Sequence, residues 1–119
     1  MDSFDTLLSK KQYDLIIKAT ENTTDSEALY YRILAFASLC TFDEAINVIN
    51  LNKKLLQEKP LKTLITLHID ILLLDNRFDE AYRAYDYYRE LPYHSQEVEE
   101  ITNAIPSKIQ AAIKKSYSS

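Results

Sequence analysis

The chain has 119 residues, a net charge of −4, one cysteine, two histidines and no glycine. The length suits a single domain with a modest core, and a chain without glycine lacks the phosphate-cradling loops and dinucleotide fingerprints that depend on that residue. A disulfide within the chain needs a second cysteine and structural zinc needs a Cys/His cluster, so we expect neither, and no cofactor.

The first predicted element is a short helix pair over about residues 2–20. The opening residues lack a basic region followed by an apolar core, so they do not predict a secretory signal. The most apolar run, Leu64 to Leu74, contains a histidine and an aspartate and is shorter than a membrane span. We therefore expect a soluble protein of a reducing compartment, the cytosol or the nucleus, that does not bind a membrane.

A second helix pair is predicted over about residues 26–57. Thr24 or Asp25 can cap its first helix, whose apolar residues recur at steps of three and four: Leu29, Ile33, Phe36, Ala37 and Cys40. This periodicity is typical of a helix with one buried face, so Cys40 is predicted to be a buried core thiol. Thr41 can cap the second helix of the pair, which the pattern extends to about Gln57.

A third helix pair is predicted over about residues 61–91, between two prolines that favour helix boundaries. Its first helix is apolar around most of its circumference, with these side chains: Leu61, Leu64, Ile65, Leu67, Ile69, Ile71, Leu72, Leu73 and Leu74. One neighbouring helix cannot cover so wide an apolar belt. A further helix of this chain or a partner protein must therefore cover the rest.

A closing helix is predicted over about residues 95–115, capped by Ser95. Its apolar stripe, from Val98 to Ile113, is the expected cover for the third pair. Pro106 lies within that stripe and removes a backbone hydrogen bond, so a kink or a break is expected near Thr102.

The tetrapeptide FDEA occurs at residues 42–45 and again at residues 78–81, each time where the second helix of a pair begins. The phenylalanine can fill the gap between the two helices, the acids suit the positive end of the helix dipole, and Ala45 and Ala81 allow close approach. Adjacent acids on a helix point in different directions, which disfavours a catalytic carboxylate pair. A helix pair repeated at a fixed period predicts an α-solenoid.

With these residues the chain resembles the tetratricopeptide repeat family. The positions that carry the resemblance are Leu29, Ile33, Phe36, Ala45 and Ile49 in one unit, Ile65, Ile69, Leu72, Ala81, Tyr85 and Pro92 in the next, and more weakly Phe4, Leu7, Tyr13, Asp14 and Ile16. The resemblance covers about residues 2–93. It implies an all-α fold, a right-handed α–α superhelix of about three helix pairs plus a C-terminal capping helix, in one domain spanning residues 1–119. Arg32 and His68 depart from it, since leucine is usual at both places.

In this family the first helices line a groove that takes a peptide or a helix. Carried over to this chain, the groove residues are Tyr30, Tyr31, Leu34, Thr63, Thr66, Leu67 and Asp70. The family's carboxylate clamp for acidic tails needs an asparagine and basic residues, whereas this chain has Tyr31, Thr63 and Leu67 there. The resemblance therefore implies a non-catalytic adaptor, part of a larger complex, that holds a hydrophobic or helical segment of a partner protein rather than a small molecule.

Two further surfaces carry alternative interpretations. The exposed tyrosines Tyr82 and Tyr87 could stack on bases, but the acids around them favour protein contact. The basic residues near the end, Lys108, Lys114 and Lys115, either complement the helix dipole or contact RNA. The RNA interpretation makes the chain a factor docked on a large ribonucleoprotein such as the ribosome. His68 and His94 have no partner motif, and we interpret both as structural.

Overall fold

The computed structural model of the protein describes residues 3–56, 61–92 and 95–117. The regular structure in these ranges is entirely helical, which confirms the predicted all-α class. The helices are α1 (Phe4–Ser9), α2 (Tyr13–Ala19), α3 (Ser26–Ser38), α4 (Phe42–Leu51), α5 (Lys53–Leu56), α6 (Leu61–Leu74), α7 (Phe78–Arg89), α8 (Gln96–Asn103) and α9 (Ile105–Tyr117). The chain divides into two compact units, Met1–Lys59 and Pro60–Ser119. The prediction of one domain over residues 1–119 stays a prediction.

The first unit packs α1 against α2 and α3 against α4, with α2 also contacting α3. At its N-terminal end a small core forms around Leu7, Ile16 and Ala35, with partly buried aromatic and aliphatic side chains against it. The Asp25 carboxylate accepts a hydrogen bond of 3.0 Å from the backbone N–H of Ala28, which confirms the predicted cap of α3.

The second helix of this pair is shorter than predicted. α4 ends at Leu51, Asn52 interrupts the helix, and α5 follows. The Asn52 side-chain amide donates a 2.8 Å hydrogen bond to the carbonyl of Val48. Asparagine competes in this way for helix carbonyls, and so it favours helix ends over helix interiors. Gln57, the predicted end, lies outside the described residues.

Arg32 joins α3 to α2. Its guanidinium donates hydrogen bonds to the carbonyl of Ile17 at 2.8 Å and to the hydroxyl of Thr20 at 3.2 Å, and it also lies 5.0 Å from the ring centre of Phe36. The last carbonyls of a helix have no partner within that helix, and a cation there also opposes the negative end of the helix dipole. The arginine that departs from the tetratricopeptide pattern therefore has a local structural use.

The second unit packs the α6–α7 pair against α8 and α9, each of which contacts both α6 and α7. Two ion pairs join these helices to α6: Lys62 with Glu97 at 2.7 Å and Asp70 with Lys108 at 3.0 Å. As α6 runs from Lys62 to Asp70, the paired residue moves from Glu97 in α8 to Lys108 in α9, so the closing segment as a whole runs in the same direction as α6. The closing segment thus covers part of the apolar belt, as expected.

A serine cap and a proline mark the start of the closing segment and the break within it. The Ser95 hydroxyl accepts a hydrogen bond of 3.2 Å from the backbone N–H of Val98, which confirms the cap. The helix is interrupted at Ala104, two residues before Pro106, which confirms the break expected near Thr102.

One turn geometry occurs three times, between α1 and α2, α3 and α4, and α6 and α7. The second residue after each first helix has a left-handed backbone, with φ of 57° at Lys11, 59° at Cys40 and 56° at Asn76. The next N–H then donates to a carbonyl five residues back, over distances of 2.8–3.0 Å (Gln12 to Leu7, Thr41 to Phe36, Arg77 to Leu72). This is the hydrogen bonding of a Schellman helix end, which usually has glycine at the left-handed position.

The same turns correct two predictions. Cys40 is exposed, so the predicted buried thiol is wrong; α3 ends before this residue, and the left-handed backbone takes its side chain off the buried face. Thr41 stands at the predicted cap position, but its hydroxyl donates to the Phe36 carbonyl at 2.8 Å and makes no cap hydrogen bond to α4.

Each second helix then buries its fourth residue. Ile16, Ala45 and Ala81 are all fully inaccessible to solvent, and each lies five residues after the left-handed position. The burial of both alanines agrees with the packing role predicted from the repeated tetrapeptide. In the N-terminal pair the larger isoleucine fills the corresponding place, beside Leu7 and Ala35.

Candidate functional site

The predicted groove residues of the first unit lie on α3. Tyr30 and Leu34 are partly buried and stand four residues apart, so they share one side of the helix. Burial raises the pKa of the Tyr30 hydroxyl. These two side chains form an apolar row with Ala37, which is also partly buried.

Tyr31, the third predicted groove residue on α3, is engaged by α1. Its ring stacks on Phe4 with the ring centres 5.2 Å apart, and its hydroxyl donates a hydrogen bond of 2.5 Å to the carboxylate of Asp5. This hydrogen bond, followed by partial burial and the negative charges of Asp5 and Glu27, raises the pKa of Tyr31. The structure therefore associates Tyr31 with the N-terminal helix pair.

The predicted groove residues of the second unit lie on α6. Thr63 and Asp70 are exposed, whereas Thr66 and Leu67 are partly buried. Asp70 is brought against Lys108 of α9 in the ion pair described above. Lys62, Thr66 and Asp70 follow one another at four-residue steps on one side of α6. Because Lys62 pairs with Glu97 and Asp70 with Lys108, this side runs alongside the closing segment, which limits the apolar surface left for a partner.

The two predicted surface tyrosines of α7 differ in their surroundings. Tyr82 is partly buried, and its hydroxyl accepts a short hydrogen bond from the side-chain amide of Gln110 on α9. Tyr87 is 36 % exposed and meets the ring of Tyr88 edge to face, with the ring centres 5.3 Å apart. Tyr82 thus helps to hold α9, while Tyr87 leaves part of its ring on the surface.

The three lysines of the RNA interpretation also differ. Lys108 is paired with Asp70 within the second unit. Lys114 and Lys115 are exposed in the last turns of α9, a location in which positive charge complements the helix dipole. The predicted basic surface is therefore divided between one internally paired lysine and two lysines at the helix end.

Sequence reasoning missed a buried polar pair in the second unit. His68 is 4 % exposed and Tyr88 is fully buried, and the Nδ1 atom of His68 lies 2.7 Å from the Tyr88 hydroxyl. The pair agrees with a structural role for His68. No short motif joins residues twenty positions apart, but the polar histidine inside an apolar helix was a signal that a partner is required. His94 lies outside the described residues.

An open cleft lies between the C-terminal ends of α6 and α9. It has a volume of about 630 Å³, and its lining includes Leu73, Leu74 and Ala112, with Asp70 and Lys115 among its polar residues. Leu74 is 67 % exposed. This cleft was not predicted, because it depends on how far α9 extends alongside α6.

Within the described ranges, no group of three or more His, Cys, Asp or Glu side chains could hold a metal ion. In the same part of the chain, no helix combines the length and the apolar character needed to cross a bilayer. Comparison of the chain with protein-family models, curated protein sequences and solved structures gives no match.

Proposed function

We propose that this chain is a divergent tetratricopeptide-like adaptor, a non-catalytic scaffold that holds a hydrophobic or helical segment of a partner protein. The observation that carries the proposal is the turn repeated at Lys11, Cys40 and Asn76, each followed by a second helix with a fully buried fourth residue. Repeated helix pairs of this kind stack into superhelices whose extended surfaces bind other proteins. We expect a right-handed superhelix here.

The closing segment supports the repeat interpretation. Terminal units of solenoids need a polar outer face, because no further repeat covers them. The exposed residues of α8 and α9 are mainly of this kind, and they include Glu97, Glu99, Glu100, Asn103, Ser107, Gln110 and Lys114. Together with its contacts to both α6 and α7, this polar face suits a cap.

The partner is proposed to bind along α3. Its row of Tyr30, Leu34 and Ala37 is apolar and partly accessible. An amphipathic helix places apolar side chains at three- and four-residue steps, and such side chains match a row of this spacing. Tyrosine adds a large apolar ring and a hydroxyl, which are common in protein-binding surfaces.

The experiment uses the full chain to recover partners from its native source, and then compares two variants. Leu34→Asp places a charge in the proposed surface, whereas Leu51→Asp places the same charge at an exposed leucine at the end of α4. Both variants are first checked for helical content and melting temperature. We expect Leu34→Asp to reduce recovery of the partner about tenfold or more, because it introduces an unpaired charge into the contact, and Leu51→Asp to leave recovery unchanged. Equal recovery with both folded variants would exclude the α3 surface.

The sensitivity of partner binding to salt and to nuclease distinguishes the adaptor from the alternative, a factor docked on a ribonucleoprotein. Binding through phosphates falls steeply between low and moderate salt, while an apolar contact survives both high salt and nuclease. We expect the partner to remain bound under both treatments. Loss under nuclease, together with loss in the Lys114→Glu and Lys115→Glu double variant, would replace the adaptor with an RNA-contacting factor.

A further inference from the structure

Helix α9 contacts the α6–α7 pair at places that match those where α3 contacts the α1–α2 pair. Six residues before its left-handed turn residue, each pair has an aspartate, Asp5 in one and Asp70 in the other. Tyr31 of α3 donates a hydrogen bond of 2.5 Å to the Asp5 carboxylate, and Lys108 of α9 donates one of 3.0 Å to the Asp70 carboxylate. The equivalent acid of each pair is therefore engaged by the helix that lies on that pair.

A second place is matched in the same way, six residues after the left-handed turn residue. There, Arg32 of α3 donates a hydrogen bond of 2.8 Å to the carbonyl of Ile17, and the side-chain amide of Gln110 in α9 donates to the hydroxyl of Tyr82. α3 contacts both helices of its pair, and α9 contacts both α6 and α7. α9 therefore takes the place that the first helix of a following repeat takes in a stack of helix pairs.

Few buried side chains hold α9 in this place. α3 and α9 each have 13 residues, but α9 buries only Ile105 and Ile109, whereas α3 buries five residues: Ala28, Leu29, Ile33, Ala35 and Phe36. Part of the burial of α3 comes from α4, its partner in the pair. Because burial of apolar surface is the main source of stability, α9 is attached less firmly than α3.

The polar contacts of α9 add little to this attachment. The side chains of Lys108 and Asp70 are 43 % and 50 % exposed, and the hydrogen bond between Tyr82 and Gln110 is exposed as well. Water and salt screen exposed ion pairs, which therefore contribute little to stability. A helix with few buried apolar contacts and exposed polar contacts opens at a small cost in free energy.

A hinge is present at the start of α9. The helix is interrupted at Ala104, and Pro106 has no N–H with which to continue the hydrogen bonding of α8. α8 has an attachment of its own, since Val98 and Thr102 are buried and Glu97 forms an ion pair with α6. α9 can therefore leave α6 and α7 while α8 stays in place.

We propose that α9 is a displaceable cover, and that the surface beneath it binds an amphipathic helix of a partner protein with a basic residue that pairs with Asp70. This surface, the α9 seat, is defined by Asp70 of α6 and Tyr82 of α7, which α9 contacts. When α9 leaves, Asp70 loses its ion pair with Lys108, and a base on the incoming helix restores the pair. The proposal does not depend on the adaptor function of the α3 surface.

The sequence of α9 shows the pattern that fits the seat. Its apolar residues recur at steps of three and four, and they are Ile105, Ile109, Ala112 and Ile113. Lys108, one residue before the second of them, pairs with Asp70. A partner helix with this pattern makes the same contacts and competes with α9 for the seat.

The test measures, by fluorescence anisotropy, the binding of a labelled synthetic peptide of residues 104–117 to the full chain at concentrations up to about 1 mM. In the wild-type chain the attached α9 competes with the peptide. Lys108→Glu in the chain replaces the attraction to Asp70 by repulsion, while the peptide keeps its lysine. This variant should therefore bind the peptide about three- to tenfold more tightly than wild type does.

Lys114→Glu is the matched control, because it makes the same change of charge in α9 at an exposed lysine outside the pair with Asp70. Its affinity for the peptide should equal that of wild type. Ile109→Asp should raise the affinity by about tenfold or more, since it places a charge at a fully buried position of α9. Lys108→Glu lies at an exposed position, so the test does not depend on the folding of the Ile109→Asp variant.

A reciprocal experiment reverses both charges. A Lys108→Glu peptide should bind an Asp70→Lys chain more tightly than the unchanged peptide does, because the acid and the base have exchanged places. Equal binding of the two peptides would show that Asp70 does not select a base, and it would overturn the proposal. Absence of peptide binding to the Lys108→Glu chain overturns it too, as does equal tightening by Lys114→Glu, which would indicate an effect of net charge alone.

Hydrogen exchange of the wild-type chain tests the opening of α9 without a variant. The backbone amides of residues 109–113 should exchange about tenfold or more faster than those of α6. Equal exchange rates would show that α9 opens only when the whole unit unfolds, which contradicts a displaceable cover.

Discussion

His68 and Tyr88 join α6 to α7 inside the second unit, with a hydrogen bond of 2.7 Å between the Nδ1 atom and the hydroxyl and with the rings meeting edge to face at 88°. Polar groups at this depth cost free energy unless they are paired. The pair therefore fixes the relative position of the two helices as well as filling volume.

Tyr88→Phe should lower the free energy of unfolding by about 1 kcal/mol, the usual contribution of one hydrogen bond. The ring and its packing remain, so the variant tests the hydroxyl alone. Urea unfolding followed by circular dichroism measures the change. The control is Tyr117→Phe, at a residue that is 85 % exposed, and its free energy of unfolding should equal that of wild type. If Tyr88→Phe also unfolded with the free energy of wild type, the Tyr88 hydroxyl would contribute nothing to stability.

Ala45→Leu and Ala81→Leu should each destabilise the fold by about 1–3 kcal/mol, because a larger side chain has no space at these fully buried positions. Thermal melting of the two variants measures the effect. Ala111→Leu makes the same change at an exposed position of α9 and should melt close to wild type. If the Ala45 and Ala81 variants also melted like wild type, these alanines would have no role in the helix contacts.

Cys40→Gly should stabilise the protein by about 0.5–1 kcal/mol. A residue with a Cβ atom is strained at a φ of 59°, and glycine removes this strain at a smaller entropic cost. Ser38→Gly, two residues earlier and still within α3, should instead destabilise the protein, since glycine weakens a helix. Chemical unfolding of both variants tests the difference, and destabilisation by Cys40→Gly would contradict the strain argument.

The contact of α1 with Tyr31 should weaken at high pH. The Asp5 hydrogen bond raises the pKa of Tyr31 above its ordinary value of 10.0, so the contact contributes stability below about pH 10 that is lost as the pH rises through the raised pKa. Subtracting the ultraviolet titration of a Tyr31→Phe variant isolates this residue among the nine tyrosines.

In this titration Asp5→Ala should move the pKa of Tyr31 downward, because it removes the first cause of the shift. Asp14→Ala, at an exposed acid on α2, is the control and should leave the curve in place. An unchanged curve for Asp5→Ala would show that this hydrogen bond does not form in solution.

The parts of the fold that the sequence predicted have local causes. Asp25 and Ser95 signal helix starts through their side-chain oxygens, and Pro106 signals a break through its missing N–H. α6 begins at Leu61, where the third helix pair was predicted to begin.

The errors arose where periodicity continues past a helix end. Cys40 follows the apolar spacing of α3, yet its left-handed backbone removes it from the buried face. Without glycine there was no residue to mark that conformation. The break at Asn52 was hidden in the same way, by apolar residues that continue in phase on both sides of it.

The candidate site was less predictable because its residues depend on distant contacts. The spacing along α3 identified Tyr31, but only the folded chain shows that Phe4 and Asp5, 27 and 26 positions earlier, engage it. The same holds for His68 with Tyr88, and for the cleft at Leu74.

The three equivalent turns have a consequence for the length of the protein. Residues 41–76 begin just after the left-handed residue Cys40 and end on the left-handed residue Asn76. If a duplicate of this segment were inserted after Asn76, Asn76 would be followed by a second copy of Thr41. The backbone already adopts this kind of junction between Cys40 and Thr41. Growth or shortening by 36 residues requires no new connecting geometry, and chains of different length could arise from this one by duplication or deletion of a single segment.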